Sequence, residues 1–207
     1  MKSKVVSIRV IVSLMVVVAL IHQLGVVAEA EDTTPSPQTV KDGIPQFDTN
    51  NVLQLPANYR EWIFVGSSLG LRYTATSKGS DESQSDNETF GHVYINPFGY
   101  REFRRTGEFP VGTMFMLEVA RKEDRTEPEL SGSFAGEIVA VEAAVKSGER
   151  FEDPWTYFSF DSDDETPTRT ARLFLDGTCI KCHRDHAETD HVFTQFYPVL
   201  RDFDDER

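Results

Sequence analysis

Cys179-Ile180-Lys181-Cys182-His183 holds both cysteines of this chain, and its order is that of a c-type haem attachment site. Each thiol can add to a haem vinyl group to form a thioether. The two-residue spacer lets both sulfurs reach adjacent pyrrole rings, and His183 follows as the proximal ligand to the iron. The expected cofactor is therefore one covalent haem c, bound through Cys179 and Cys182 with iron on His183. Two other chemistries fit a CxxC pair. It can form a disulfide, or with His186 and His191, the two nearby candidate ligands, a structural zinc site.

The beginning of the chain agrees with haem attachment outside the cytoplasm. Lys2, Lys4 and Arg9 precede an apolar run from Val10 to Leu20, and Ala28-Glu29-Ala30 supplies small residues for cleavage. Residues 1–30 read as a signal peptide, with the bacterial periplasm as the expected location. The run is shorter than the roughly 20 residues that a spanning helix needs. The chain carries a net charge of −13. Loss of three basic residues and one acid with the leader makes the mature part more acidic still. That balance excludes nucleic acid as a partner, and it suits either a solvated surface or a basic redox partner protein.

The elements that must hold the motif belong to one domain. Residues 31–54 read as a disordered acidic, proline-containing tether, with the haem domain spanning 55–207. Thr76 to Thr89 has the composition of an exposed loop. Tyr59, Trp62, Ile63, Gly66 and Leu69 recur at helical spacing, which predicts a helix over 57–69. Asn96-Pro97 predicts a capped helix start and Gly107 its end. Thr113–Ala120, Ser133–Val145 and Trp155–Asp161 read as antiparallel strands, and His92–Asn96 offers another. Val192, Phe193, Phe196, Tyr197 and Leu200 mark a helical stripe that Pro198 should kink or end. The expected fold class is α+β: an antiparallel β-sheet with a few flanking helices and the haem bound near the C-terminal CxxCH.

What the iron does depends on its sixth position. An electron-carrying cytochrome usually fills it with methionine or a second histidine. After the leader the only methionines are Met114 and Met116, both in a predicted strand before the motif. His186 lies too close to His183 to reach the opposite face of a haem, and His191 stands ~12 Å further along a continuing helix. His92 remains as a distal candidate. These options favour an open distal site, and hence small-ligand binding or catalysis.

Asn58-Tyr59-Arg60-Glu61-Trp62 with Phe64-Val65-Gly66, then Val93-Tyr94-Ile95-Asn96-Pro97, then Thr106-Gly107-Glu108-Phe109-Pro110 with Gly112-Thr113 resemble the cytochrome P-460 family, which includes the cytochromes c′-beta. So do the CxxCH segment, His186-Ala187, Asp190 and Val192 to Leu200. The resemblance runs from about residue 55 to 201. It implies a mostly antiparallel β protein, usually a homodimer, with one covalent haem and five-coordinate iron. Cytochromes P-460 add a bond from a lysine to the porphyrin and oxidise hydroxylamine with a distal carboxylate as proton acceptor. The c′-beta members lack that bond and bind nitric oxide or carbon monoxide under phenylalanines.

On this division the chain falls on the c′-beta side. The strand Thr113–Ala120, where the family places the lysine, has none, and Lys122 lies beyond its predicted end. The family's carboxylate position, about nine residues before His183, is Phe174, with Asp176 two places away. Phe90, Phe115 and Phe174 are candidates for an apolar cap over the iron, each with ordinary core packing as its alternative. His92 is the polar candidate, able to donate a hydrogen bond to a bound ligand. The expected function is an exported mono-haem protein that binds nitric oxide, carbon monoxide or another small nitrogen-containing ligand. A hydroxylamine-oxidising enzyme and a simple electron carrier using Met114, Met116 or His92 are the alternatives.

Overall fold

A computed structural model describes residues 36–71, 88–161, 167–174 and 177–201. Every described residue belongs to one unit within 35–207. The expected signal peptide and most of the predicted loop before Thr89 lie outside the described residues, as does Asp176.

The fold is α+β. Its strands are β1 (Ile63–Leu69), β2 (Thr89–Ile95), β3 (Met114–Glu127), β4 (Leu130–Lys146), β5 (Trp155–Asp161) and β6 (Pro167–Leu173). They form a single six-stranded meander in chain order, each neighbouring pair antiparallel. Short helices flank it: α1 (Pro37–Asp42), α2 (Pro97–Thr106), α3 (Thr178–His186) and α4 (Pro198–Arg201). Successive strand residues point to opposite faces, and here both faces are covered. Tyr59, Trp62, Met114, Met116, Val141, Val145 and Phe158 pack on one of them. Val65, Ile95, Phe109, Phe115, Trp155, Tyr157 and Val192 pack on the other, with Phe174, Cys179 and Ile180 against them. We call these the first and second faces.

The strands predicted around β2 to β5 are present, with β3 and β4 extending further into a shared hairpin. β6 was not anticipated. The helix starting at Asn96-Pro97 forms as expected: the Asn96 side chain accepts from the Gly99 amide, Pro97 takes the first helical position, and Gly107 ends the helix at a φ of 80°. Asn96 does more than cap. Fully buried, it donates from Nδ2 to the carbonyls of Gly43 (3.0 Å) and Gly112 (2.9 Å), and its Oδ1 also accepts from the Met114 amide (3.0 Å).

Other expectations are corrected. Residues 57–69 do not form one helix: Tyr59–Glu61 makes a 3-10 turn and Ile63–Leu69 is β1. The helical spacing was satisfied by Tyr59 and Trp62 entering the first face from the turn, while the rest of the run pairs with β2. Sheet pairing thus overrode the periodicity. Nor is all of 31–54 a tether. Pro37–Asp42 is helical, Leu53 is fully buried, and Phe47 and Leu55 pack against the same core. Backbone bonds between Ala171 and Leu53 and between Leu55 and Arg169 tie this segment to β6. The stripe after the motif is a 3-10 turn, Thr194–Phe196, followed by α4, which Pro198 begins rather than ends.

Candidate functional site

The CxxCH residues lie on α3, which Gly177 starts from a left-handed φ of 69°. Cys179 and His183 are four residues apart, so they share a helix face with Cys182 beside them. The two cysteines stand as thiols rather than as a disulfide. Among the described residues, no group of three His, Cys, Asp or Glu side chains gathers as a metal cluster.

His183 is held on three sides. Its ring lies against Tyr157, with centroids 4.7 Å apart, and against Phe193 at 4.6 Å. Its Nδ1 donates to the His191 carbonyl at 2.7 Å, which leaves Nε2 as the ring's lone-pair nitrogen. Burial lowers the His183 pKa, against the opposing pull of the His191 carbonyl, and so favours the neutral imidazole that binds a metal. The condition under which His191 would stand far from His183, a continuing helix, is not met. The helix ends at His186, and the chain turns back to place the His191 carbonyl on the ring.

Alternation assigns the distal candidates to faces. Phe115 and Phe174 pack on the second face, the one that receives Cys179. Phe90 and His92 do not join them. They share β2's other side with Tyr94, stacked on each other at 5.9 Å, and His92 Nδ1 lies 3.1 Å from the Ser67 hydroxyl. Both thus lie on the face opposite the one that receives Cys179, because they have the strand parity of Tyr94. Met114 and Met116 are fully buried in the first face as well. None of the three side chains considered as a sixth ligand lies on the face of the cysteines. Lys122 proves to lie within β3, whose end the sequence placed too early, and it pairs with Glu88 and Asp124 at 3.2 Å each.

The structure adds two groups that sequence reasoning missed. Glu142 shares β4's parity with Ala144, so it belongs to the second face, between Leu117 of β3 and Ser159 of β5. Among the described residues its carboxylate makes no hydrogen bond or ion pair. Burial, and then the charge of Asp161, hold its pKa above the usual carboxylate range. The second group is Tyr157. It is buried beside His183, and its hydroxyl has no hydrogen-bond partner among the described residues. Burial and then the neighbouring Cys179, Asp190 and Cys182 keep it protonated well above the ordinary tyrosine range. A haem fits these residues: two thiols and an oriented imidazole on one helix face, an apolar wall, and a buried donor whose hydrogen bond is unmade.

A protein-family model, Cytochrome P460, matches residues 56–194. No curated protein matches the chain. The matched span runs from just before the Tyr59 turn through β1 to β6, α3 and the His191 turn, so it covers both the sheet face and the helix that confronts it. The chain belongs to the cytochrome P460 family, and that membership implies a haem cofactor.

Proposed function

We propose that the chain is an exported, mono-haem c-type cytochrome of this family, dimeric in solution, that binds a small gaseous or nitrogen-containing ligand such as nitric oxide or carbon monoxide. Cys179 and Cys182 would hold the haem and His183 its iron. The observation that carries the reading is the His183 ring, which burial keeps neutral and which Tyr157, Phe193 and the His191 carbonyl hold in place. Bound haem supplies an iron able to take one further ligand. The second face then offers Phe115 and Phe174 to exclude water, while Met114, Met116 and His92 lie on the other side of the sheet.

The test is spectroscopic. Protein made with a haem-maturation system should give a c-type pyridine haemochrome, and its ferrous form a five-coordinate spectrum that shifts with carbon monoxide. Replacing both Cys179 and Cys182 with serine should release haem on acid extraction, and His183→Ala should abolish histidine ligation. A low-spin six-coordinate ferrous spectrum with no carbon monoxide response would sink the reading.

Glu142 favours a second reading, hydroxylamine oxidation. A general base must lie near the reacting nitrogen, and this carboxylate shares the face of Phe115 and Tyr157. The electrons would pass to a redox partner protein. Against a porphyrin cross-link of the P-460 kind stand the lysine-free run Thr113–Ala120 and the pairing of Lys122, next along β3, with Glu88 and Asp124.

A further inference from the structure

The turn that delivers the His191 carbonyl is held in place by the sheet. Asp190 and His191 have φ values of 46° and 62°, both left-handed, and the Val192 amide donates to the Thr189 carbonyl at 2.8 Å. This is the pattern of a type I′ turn, which ordinarily selects Asn-Gly or Asp-Gly. A side chain such as that of His191 is unfavourable there, so something must hold the turn. Two donors do. Lys146 and Trp155 are directly paired across β4 and β5. Lys146 Nζ reaches Asp190 Oδ2 at 2.6 Å, and Trp155 Nε1 reaches Oδ1 at 3.2 Å. Lys146 Nζ also donates to the Phe109 carbonyl at 2.6 Å, which fixes the ammonium itself.

We infer that Asp190 is a positioning residue for His183: bolted to the sheet by Lys146 and Trp155, it holds the turn whose His191 carbonyl accepts from Nδ1, and so sets the ring's orientation and its strength as an iron ligand. The inference rests on the proposed haem ligation. A hydrogen bond at Nδ1 lends the imidazole anionic character, which strengthens the iron–histidine bond and favours the ferric state. A partly exposed ion pair such as Lys146–Asp190, whose side chains are 21% and 34% exposed, contributes little to stability. Its effect should therefore appear at the metal more than in folding.

The test compares Asp190→Gly, Asp190→Asn and Lys146→Met in haem-loaded protein. Glycine tolerates the left-handed turn but removes both bonds, whereas asparagine tolerates it and keeps an acceptor for Trp155. Asp190→Gly should keep wild-type haem content and favour the ferrous state roughly tenfold, which is ~59 mV for one electron. Its iron–histidine stretching frequency in resonance Raman should fall. Lys146→Met should move both readouts in the same direction, and Asp190→Asn should restore part of the change. Wild-type potential and stretching frequency in Asp190→Gly would overturn the inference. Should that variant not fold, wild-type values in Lys146→Met would do so. A wild-type protein lacking haem or histidine ligation would remove the functional reading, and this inference with it. Haem-loaded, histidine-ligated protein with unmoved variants removes the inference alone.

Discussion

Asn96→Ala will lower the unfolding free energy by about 3–4 kcal/mol, read as a fall in the urea midpoint at unchanged slope. Asn96 is fully buried, and its amide serves four backbone groups: the Gly43 and Gly112 carbonyls and the Gly99 and Met114 amides. Each stranded group costs about 1–3 kcal/mol, and local relaxation recovers part of the sum. The four come from the end of α1, the start of α2, the turn before β3 and the first residue of β3. One side chain therefore joins segments that have no sheet bonds among them. Asn96→Asp should be no better, since a carboxylate cannot donate and would face two carbonyl oxygens. A loss below about 1 kcal/mol for alanine would show that water replaces the amide and that the joint is dispensable.

Glu142→Gln will lower any hydroxylamine turnover by roughly 10²–10⁴-fold while leaving carbon monoxide affinity within about threefold of wild type. Glutamine keeps the size of the side chain and removes the base. Turnover unchanged by the substitution would exclude Glu142 as proton acceptor, and a wild type without turnover would leave ligand binding as the function. A large loss of carbon monoxide affinity would mean instead that the substitution deforms the pocket.

The same variant makes a second, thermodynamic statement. With its folded pKa above the ordinary 4.5, Glu142 binds its proton more tightly in the folded protein than in the unfolded chain. Its contribution to stability is therefore greatest below about pH 4.5 and is lost as the pH rises through the folded pKa. Glu142→Gln should be more stable than wild type at about pH 7, with the gain shrinking toward about pH 4. Urea midpoints at the two values check the sign. A carboxylate kept where it weakens the fold is what a working site would require.

How much of this could be read in the residues varied with the range of the interaction that decides each part. CxxCH and Asn96-Pro97 with Gly107 are local patterns whose chemistry or capping is complete within a few residues; the structure presents the caps as read and sets the motif on a single helix. β1 is different, because Ile63–Leu69 becomes a strand only by pairing with β2, from which it is separated along the chain. Face assignments needed the same long-range knowledge. Phe90 and His92 look as eligible as Phe115 until the register shows which side of the sheet receives α3. Glu142 escaped notice because a polar residue alternating with Val141, Ala143 and Val145 has the pattern of a strand with one solvated face. Here that face is covered. Leu53 was likewise hidden in a polar stretch whose few apolar residues have no period to reveal them.

β3 carries the division between the two faces on adjacent residues. Phe115 and Leu117 point one way, while Met114, Met116 and Glu118 point the other, where Glu118 takes hydrogen bonds from Tyr59 and Arg60 at 2.5 and 2.6 Å. A single-residue insertion within this run would exchange the sides, sending a carboxylate to the face that receives Cys179 and a phenylalanine into the Tyr59 pocket. Beyond Ala120 the constraint lapses: β2 pairing ends at Arg121, register shifts flank Ala120, and among the described residues only the β3–β4 ribbon continues. Natural variation in chain length should therefore be confined to the outer ribbon. The first five residues of β3 thus act as a ruler: side chains can be exchanged at each mark, but an added mark would put every later one on the wrong side.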